Sequence, residues 1–359
     1  MDKLQHFPDC SCTGNINHPS QAQSGIHVFP GKLYVVTMLS NPLRYRNRYS
    51  NYWRFENQVN AAGAELYTVE LAFGERHFEI TEPNNPKHLQ LRTSHELWHK
   101  ENALNLLIQR LPTDAKYVAW IDADVMFTRG DWAQETLHLL QHYDVLQMFS
   151  QAMDLDVNNE PTQQHTGFMF EYSNAQSDPL NTDPIKLYPD TKGQSGSGGG
   201  SGYKPYGKGY WHPGFAWAAK KEALNKVGML MDWPILGSAD WHMAWAIIGR
   251  AQYQMNPALS ENYKNLTMEW QNRAEMYIKR NVGYMPGLIT HMFHGSKAKR
   301  AYGDRWSFLI NAKFDPITDI KRDHQGLWQL SNTNVRLRDG IRVYNRQRHE
   351  DENTGIYVP

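Results

Sequence analysis

The chain has 359 residues, enough for one large α/β domain with an extension or for two small domains. Lys plus Arg and Asp plus Glu number 37 each, so no overall charge draws the protein towards nucleic acid or a membrane surface. No apolar run approaches the roughly 18 residues of a membrane-spanning helix, and no secretory leader is evident. Two cysteines suit a reducing compartment, so we expect a cytoplasmic protein with no membrane partner.

The first 29 residues are polar and without pattern, which predicts an N-terminal tail. They contain His6, Cys10, Cys12 and His18, which could bind zinc. The C-x-C spacing is not the usual one for a zinc site, so a loose tail is the favoured interpretation.

The first predicted strand covers residues 33–39 and stops at a Ser-Asn-Pro sequence. Ligands of α/β sheets gather at the carboxyl ends of strands, so Thr37 and Ser40 are candidate contacts of a nucleotide. A second strand is predicted over 65–71, with Glu70 near its end. That carboxylate could accept hydrogen bonds from a ribose or a base, or it could be a plain surface acid.

A helix is predicted over residues 93–107. His95 and His99 are four residues apart, as metal ligands on a helix would be, but no third ligand is near in sequence. Lys100 is better placed to meet a diphosphate, because this helix leads into the strand described next.

The apolar run at 117–121 predicts a buried strand that ends in Asp122 and Asp124. Residues two apart in an extended segment point to the same side, so both carboxylates can face one point. Converging carboxylates repel each other unless a cation lies between them, and Mg²⁺ or Mn²⁺ suits oxygen ligands. A helix over 134–142 and a strand over 145–149 follow, which together indicate a nucleotide-binding α/β fold.

The order of these elements resembles a known family. K-x-x-x-x-N beginning at Lys100, a helix and then YVAWIDAD resemble the nucleotide-binding half of the GT-A glycosyltransferases. The resemblance implies a Rossmann-like α/β fold with a mixed, mostly parallel sheet between helices, over residues 30–296. It implies that Asp124 binds the divalent cation, that Asp122 contacts the ribose or the metal, and that Glu70 matches the acid that recognises the nucleoside.

Few apolar positions follow Ser150, which predicts irregular structure over 152–209, with a flexible Gly/Ser loop at about 190–209. The next segment resembles the family's sugar-pocket strand. Gly214 would let the backbone approach the donor, and Trp217 could stack on a sugar or lie in the core.

Asp240 falls in the first turn of a predicted helix capped by Ser238. An acid there complements the helix dipole. By the resemblance, it matches the base that deprotonates the acceptor hydroxyl in inverting members, although Ala239 stands where the family has an acid.

The resemblance also implies a histidine that completes the metal shell. His294 is the first choice and His291 the second, and neutral imidazole is a reasonable ligand for Mn²⁺. Lys297 and Arg300 would neutralise the departing diphosphate.

The sequence thus predicts a metal-dependent transferase that moves a sugar from a nucleotide donor, UDP-linked as a first choice, with inversion. Residues 297–359 form a predicted basic extension, and 297–348 hold twelve Lys or Arg against five Asp. Modified viral DNA is therefore a possible acceptor beside a glycan. A nucleotidyltransferase and a non-catalytic carbohydrate-binding protein stay open as alternatives, although the first strand lacks the Gly- and Lys-rich loop of the former.

Overall fold

The computed structural model describes residues 31–177, 211–295, 304–331 and 334–346, together with Asp351. The predicted N-terminal tail, the Gly/Ser loop, Lys297 and Arg300 lie outside the described residues. Within the described ranges, no helix combines the length and apolar character needed to cross a bilayer.

The described strands are β1 (Leu33–Ser40), β2 (Glu65–Phe73), β3 (His88–Thr93), β4 (Tyr117–Ile121), β5 (Val125–Phe127), β6 (Val145–Gln147), β7 (Gln151–Leu155), β8 (Pro161–Gly167), β9 (Trp211–His212), β10 (Ala216–Lys220), β11 (Val282–Tyr284), β12 (Leu288–His291), β13 (Ile320–Arg322) and β14 (Trp328–Leu330). The described α-helices are α1 (Arg46–Ala61), α2 (Lys100–Ile108), α3 (Trp132–His142), α4 (Phe168–Ser177), α5 (Lys221–Val227), α6 (Ala239–Ile247), α7 (Glu261–Tyr277), α8 (Asp304–Asn311) and α9 (Val335–Arg346).

A seven-stranded central sheet has the order β11-β6-β10-β4-β1-β2-β3. Every strand of this sheet runs in one direction except β10, which is antiparallel to both neighbours. Its central strands β1 and β4 are almost continuously buried because helices such as α1, α2 and α3 pack on the sheet. The predicted fold class, a mixed and mostly parallel sheet flanked by helices, is confirmed.

The sheet reverses its strand order at β1, which lies between β2 and β4. Open α/β sheets bind ligands in the crevice outside the carboxyl ends of the strands at such a switch point. Thr37 donates a hydrogen bond from its hydroxyl to the carbonyl of Ile121, at 2.8 Å, and so ties β1 to the last residue of β4. This hydrogen bond fixes the backbone of Ile121, the residue directly before the acidic turn.

A second sheet has the order β5-β12-β7-β8-β9. The prediction of irregular structure after Ser150 was wrong for 151–177, where β7, β8 and α4 lie. The buried face of β8 carries Gln163 and His165 in place of apolar residues. A count of apolar positions cannot detect such a strand.

The helix predicted over 93–107 begins later than expected. Residues 88–93 form the edge strand β3, and α2 begins at Lys100. The backbone N–H of Trp98 donates to the carbonyl of Ile235, at 2.8 Å, which holds the connecting segment outside helical geometry. Lys100 is thus the first residue of its helix.

Residues 304–331 and 334–346 pack on the rest of the domain through an apolar cluster. Leu309, Leu337 and Ile341 are buried there against Leu97 and Ile235. The outer side of α9 exposes Arg336 and Arg342. The basic character of this segment therefore lies on its surface.

Candidate functional site

The acidic turn lies at the carboxyl end of β4, in the crevice beside β1. The N–H of Asp122 donates to the carbonyl of Phe215 at 2.9 Å, and the N–H of Val125 donates to the carbonyl of Asp122 at 3.2 Å. Asp122 and Asp124 are both partly exposed. They lie in a turn between β4 and β5 where an extended segment was predicted, and their carboxylates contact different partners.

Asp124, His291 and His294 form a cluster whose ligand atoms all lie within 4.8 Å of one another. His294 Nε2 is 3.1 Å from Asp124 Oδ2, and His291 Nε2 is 3.7 Å from Asp124 Oδ1. The two Nε2 atoms are 3.0 Å apart. An octahedral Mg²⁺ holds its ligands at roughly 2.0–2.1 Å, which places neighbouring ligand atoms about 3 Å apart. Two imidazoles and one carboxylate therefore fit one divalent cation.

Strand pairing brings these three residues together. β12 is antiparallel to β5, with His291 opposite Val125, and the N–H of Met292 donates to the carbonyl of Asp124 at 2.8 Å. His294 follows three residues beyond His291, at the end of the same segment. Residues almost 170 positions apart thus share one site because their strands share the second sheet.

A further pair of residues lies behind His291. Its Nδ1 is 2.7 Å from Asp154 Oδ1, and the other Asp154 oxygen accepts a close contact from His165 Nε2. Burial alone would raise the pKa of Asp154, but the hydrogen bonds from His165 and His291 outweigh it and hold that pKa well below its usual range. Sequence analysis missed Asp154 and His165. No local pattern pointed to them, because residues 162–166 of β8 are all polar and only the fold shows which of them are buried.

Lys100 forms an ion pair with Asp122 at the start of α2. Burial acts to lower the pKa of the Lys100 ammonium, but the charge of Asp122 and of other nearby carboxylates outweighs it and raises that pKa. Burial, together with the charges of Asp124 and Asp240, raises the pKa of Asp122 despite the lysine. Burial also raises the pKa of Glu101 to about 8. The carboxylates of Asp122, Glu101 and Asp240 thus all lie near enough to act on the Lys100 ammonium.

Asp240 lies in the first turn of α6 and is partly exposed. Ser238 precedes the helix as predicted, but its side chain makes no capping hydrogen bond. The N–H of Trp241 donates to Asp240 Oδ1 at 2.8 Å. A Cβ placed on Gly214 would lie 2.9 Å from Asp240 Oδ2 and 3.1 Å from His212 Cε1. Gly214 thus leaves the space that the second carboxylate oxygen occupies.

Replacing Gly214 by alanine is expected to lower the kcat of the reaction proposed below by up to about 10²-fold, since a misplacement of 1 Å can have that effect. The new methyl group would displace the Asp240 carboxylate, which is not one of the three clustered metal ligands. Gly130→Ala is the matched control, because no atom lies within 4 Å of the methyl position there. Steady-state kinetics of the two variants, with Mn²⁺ binding measured alongside, check this. A Gly214→Ala enzyme with the wild-type kcat would contradict it.

Glu70 is buried, and its carboxylate binds the loop that follows β2. It accepts hydrogen bonds from the N–H groups of Glu79, Ile80 and Thr81, at 2.6, 3.0 and 2.9 Å, and from the Thr81 hydroxyl at 2.7 Å. Glu70 was predicted to contact the nucleoside. In the structure its carboxylate instead holds the loop that borders the crevice.

Replacing Glu70 by glutamine is expected to lower the free energy of unfolding by about 1.5–3 kcal/mol, the range for hydrogen bonds to a charged group. The amide would point an NH₂ group at a donor. Denaturant unfolding measures the loss, with the exposed Glu75 of the same loop replaced by glutamine as the control. Unchanged stability with weaker nucleotide binding would instead favour direct contact with the nucleoside.

Two predicted donor contacts lie in the interior. Thr37 is fully buried, and Trp217 is 4% exposed with its ring stacked on Trp120 and its Nε1 donating to the Pro213 carbonyl at 2.7 Å. Neither side chain can meet a donor, because each is enclosed by the core. Ser40 is partly exposed, and its carbonyl accepts a hydrogen bond from Arg48.

The paired histidines of the 93–107 segment do not converge on one point. His99 is buried, and its Nε2 is 3.1 Å from the His95 carbonyl. Burial lowers the pKa of His99 to about 4. In the described part of the chain, only Asp124, His291 and His294 form a group of three potential metal ligands.

No protein-family model matches the chain, and no curated protein matches it in sequence. Among solved structures, a protein from Desulfovibrio desulfuricans G20 that is described as a candidate nucleotide-diphospho-sugar transferase aligns over 88% of this chain and 98% of its own, with 10% identity and a TM-score of 0.32. Residues 1–349 of TarS from S. aureus align over 91% of this chain and 93% of that chain, with 11% identity and a TM-score of 0.32. At these values the likeness carries no argument about function.

Proposed function

We propose that this chain is a divalent-metal-dependent glycosyltransferase. It moves a sugar from a nucleotide-diphosphate donor to an acceptor hydroxyl. The observation that carries the proposal is the cluster of Asp124, His291 and His294 at the switch point of the central sheet, 3.0–3.7 Å apart. A cation-binding group in that crevice, beside a partly buried lysine and a separate carboxylate, is what transfer from a diphosphate requires.

The donor set favours Mn²⁺ over Mg²⁺, because imidazole suits first-row transition ions and Mg²⁺ prefers oxygen. When bound, the cation supplies positive charge that stabilises the departing diphosphate. Lys100 adds a second positive charge, since its raised pKa keeps it protonated. Lys297 and Arg300, which lie outside the described residues, stay predicted contacts of the diphosphate.

Asp240 is proposed as the general base. Its Oδ1 is held by the N–H of Trp241, which leaves Oδ2 to receive the proton of the acceptor hydroxyl. The acceptor oxygen then forms its bond to the anomeric carbon as the bond from that carbon to the donor phosphate breaks. The nucleoside diphosphate leaves with the electron pair, and the proton stays on Asp240. Attack opposite to the leaving group inverts the anomeric centre.

The donor is proposed to be UDP-linked, and the acceptor to be a glycan or modified DNA. Arg336 and Arg342 of α9 are exposed, so their side chains are accessible to the phosphates of a polyanionic acceptor. Activity on duplex DNA and on small glycans across a salt series separates these acceptors. Steep loss of activity on DNA with rising salt is expected if phosphates are contacted.

The test is the release of nucleoside diphosphate from a panel of UDP-, GDP- and ADP-linked sugars, with Mn²⁺, with Mg²⁺ and with EDTA. We expect slow release that needs Mn²⁺ and is accelerated by acceptor. Release of pyrophosphate from a nucleoside triphosphate and a sugar phosphate would indicate a nucleotidyltransferase. Binding of sugar with no product from either reaction would indicate a carbohydrate-binding protein.

A further inference from the structure

We propose that Asp154, supported by His165, is the positioning residue of the metal centre. It fixes the tautomer and the ring orientation of His291, so that His291 Nε2 offers a lone pair to the cation. This inference rests on the proposed metal site. It assigns a role to two buried polar residues that the transfer chemistry itself does not use.

The tautomer follows from the contact at Nδ1. His291 Nδ1 is 2.7 Å from Asp154 Oδ1, and an ionised carboxylate only accepts hydrogen bonds, so the ring proton lies on Nδ1. In a neutral imidazole the lone pair is then on Nε2, the atom that faces Asp124 and His294. Histidines that bind metals commonly donate their other ring N–H to a carboxylate in this way.

The carboxylate itself is fixed by strand register. β7 is parallel to β12 with Asp154 paired with His291, and His165 on β8 is paired with Ala152, two residues from Asp154. All three side chains therefore lie on one face of the second sheet. Asp154 is 4% exposed and His165 is 2% exposed. The His165 contact binds the Asp154 oxygen that His291 does not use.

The His291 ring is also confined from the side. Phe215 lies with its ring centroid 4.7 Å from that of His291, and the His212 ring is stacked on Phe215 at 4.0 Å. Phe215 is 8% exposed, so this side of the ring is closed to water. Packing limits the tilt of the ring, and Asp154 decides which nitrogen faces the ion.

The experiment measures Mn²⁺ affinity in the absence of donor, from the electron paramagnetic resonance signal of free Mn²⁺. Asp154→Asn and His165→Phe are each expected to weaken binding by about 10–100-fold, the usual effect of losing such a partner of a metal ligand. His165→Gln is expected to stay within a few-fold of wild type, because its amide can donate from near the position of Nε2. Asp144→Asn, which removes a carboxylate paired with Lys220, is the control for loss of a partly buried acid and should bind Mn²⁺ like wild type.

Thermal unfolding without metal accompanies each titration. If Asp154→Asn fails to fold, the Mn²⁺ affinities of His165→Phe and His165→Gln still test the inference, because only His165→Gln keeps a donor to Asp154. Reduced stability with wild-type Mn²⁺ affinity would show that Asp154 and His165 only join strands, and would overturn the inference. If wild type and Asp124→Asn bind Mn²⁺ equally, the metal site itself is wrong, and the inference fails with the proposed function. A different result would overturn this inference but leave the proposed metal site intact. In that result, wild type binds Mn²⁺ strongly, Asp124→Asn binds it weakly, and Asp154→Asn and His165→Phe bind it like wild type.

Discussion

Replacing Asp124 by asparagine is expected to remove high-affinity Mn²⁺ binding and to lower kcat/KM by about 10³-fold. Asp124 supplies the carboxylate among the three clustered ligands. A bound cation contributes several kcal/mol of charge stabilisation in the transition state, and about 4 kcal/mol corresponds to 10³ in rate. Nucleoside diphosphate release and Mn²⁺ titration of the same preparation measure both effects.

The control for this variant is Asp131→Asn. Asp131 lies beyond β5, just before α3, and is exposed and paired with Arg129, so its loss should alter neither Mn²⁺ affinity nor rate. An Asp124→Asn enzyme that needs Mn²⁺ as wild type does, at an unchanged rate, would contradict the site. Equal losses in both variants would indicate general instability.

Replacing Asp240 by asparagine is expected to lower kcat by about 10²–10⁴-fold, the range for a general base, while Mn²⁺ affinity stays at the wild-type value. Asp240 is not one of the three clustered metal ligands, so only the proton transfer should be lost. Transfer to acceptor at saturating donor and metal measures kcat, and the Mn²⁺ titration is the parallel readout.

Glu261→Gln is the matched control for Asp240→Asn. Both acids lie in the first turn of a helix, but Glu261 has an 81% exposed side chain and pairs with Lys264. If Asp240 served only the helix dipole, both variants would lose a few tenths of a kcal/mol of stability at most and keep full activity. Full activity in Asp240→Asn would therefore show that Asp240 is not the general base.

Local patterns predicted the centre of the fold well. The apolar runs at 33–39, 65–71 and 117–121 are β1, β2 and β4, because a strand buried on both faces leaves a continuous hydrophobic signal. The alternating edge strand β3 and the polar-faced β8 gave no such signal. β3 was missed because its buried residues alternate with partly exposed ones, and β8 was missed because its buried residues include Gln163 and His165, which are polar.

Some residues of the candidate site also had a local sequence signal, and others are brought together only by the pairing of distant strands. Asp122 and Asp124 were predicted from an acidic turn directly after an apolar strand, which is a local signal. His291 and His294 were suggested by the resemblance alone, and their distance to Asp124 depends on the pairing of β5 with β12. Asp154 could not be predicted as a partner of His291, because their contact depends on the register of β7 against β12, a relation between segments that no local pattern encodes.

The most direct test of the central claim is the ³¹P spectrum of a nucleoside diphosphate bound to the protein during a titration with Mn²⁺. A cation held by Asp124, His291 and His294 beside the diphosphate would broaden both phosphorus resonances at substoichiometric Mn²⁺ in wild type, and far less in Asp124→Asn. Equal broadening in the two proteins, or a diphosphate that binds and stays sharp, would contradict it.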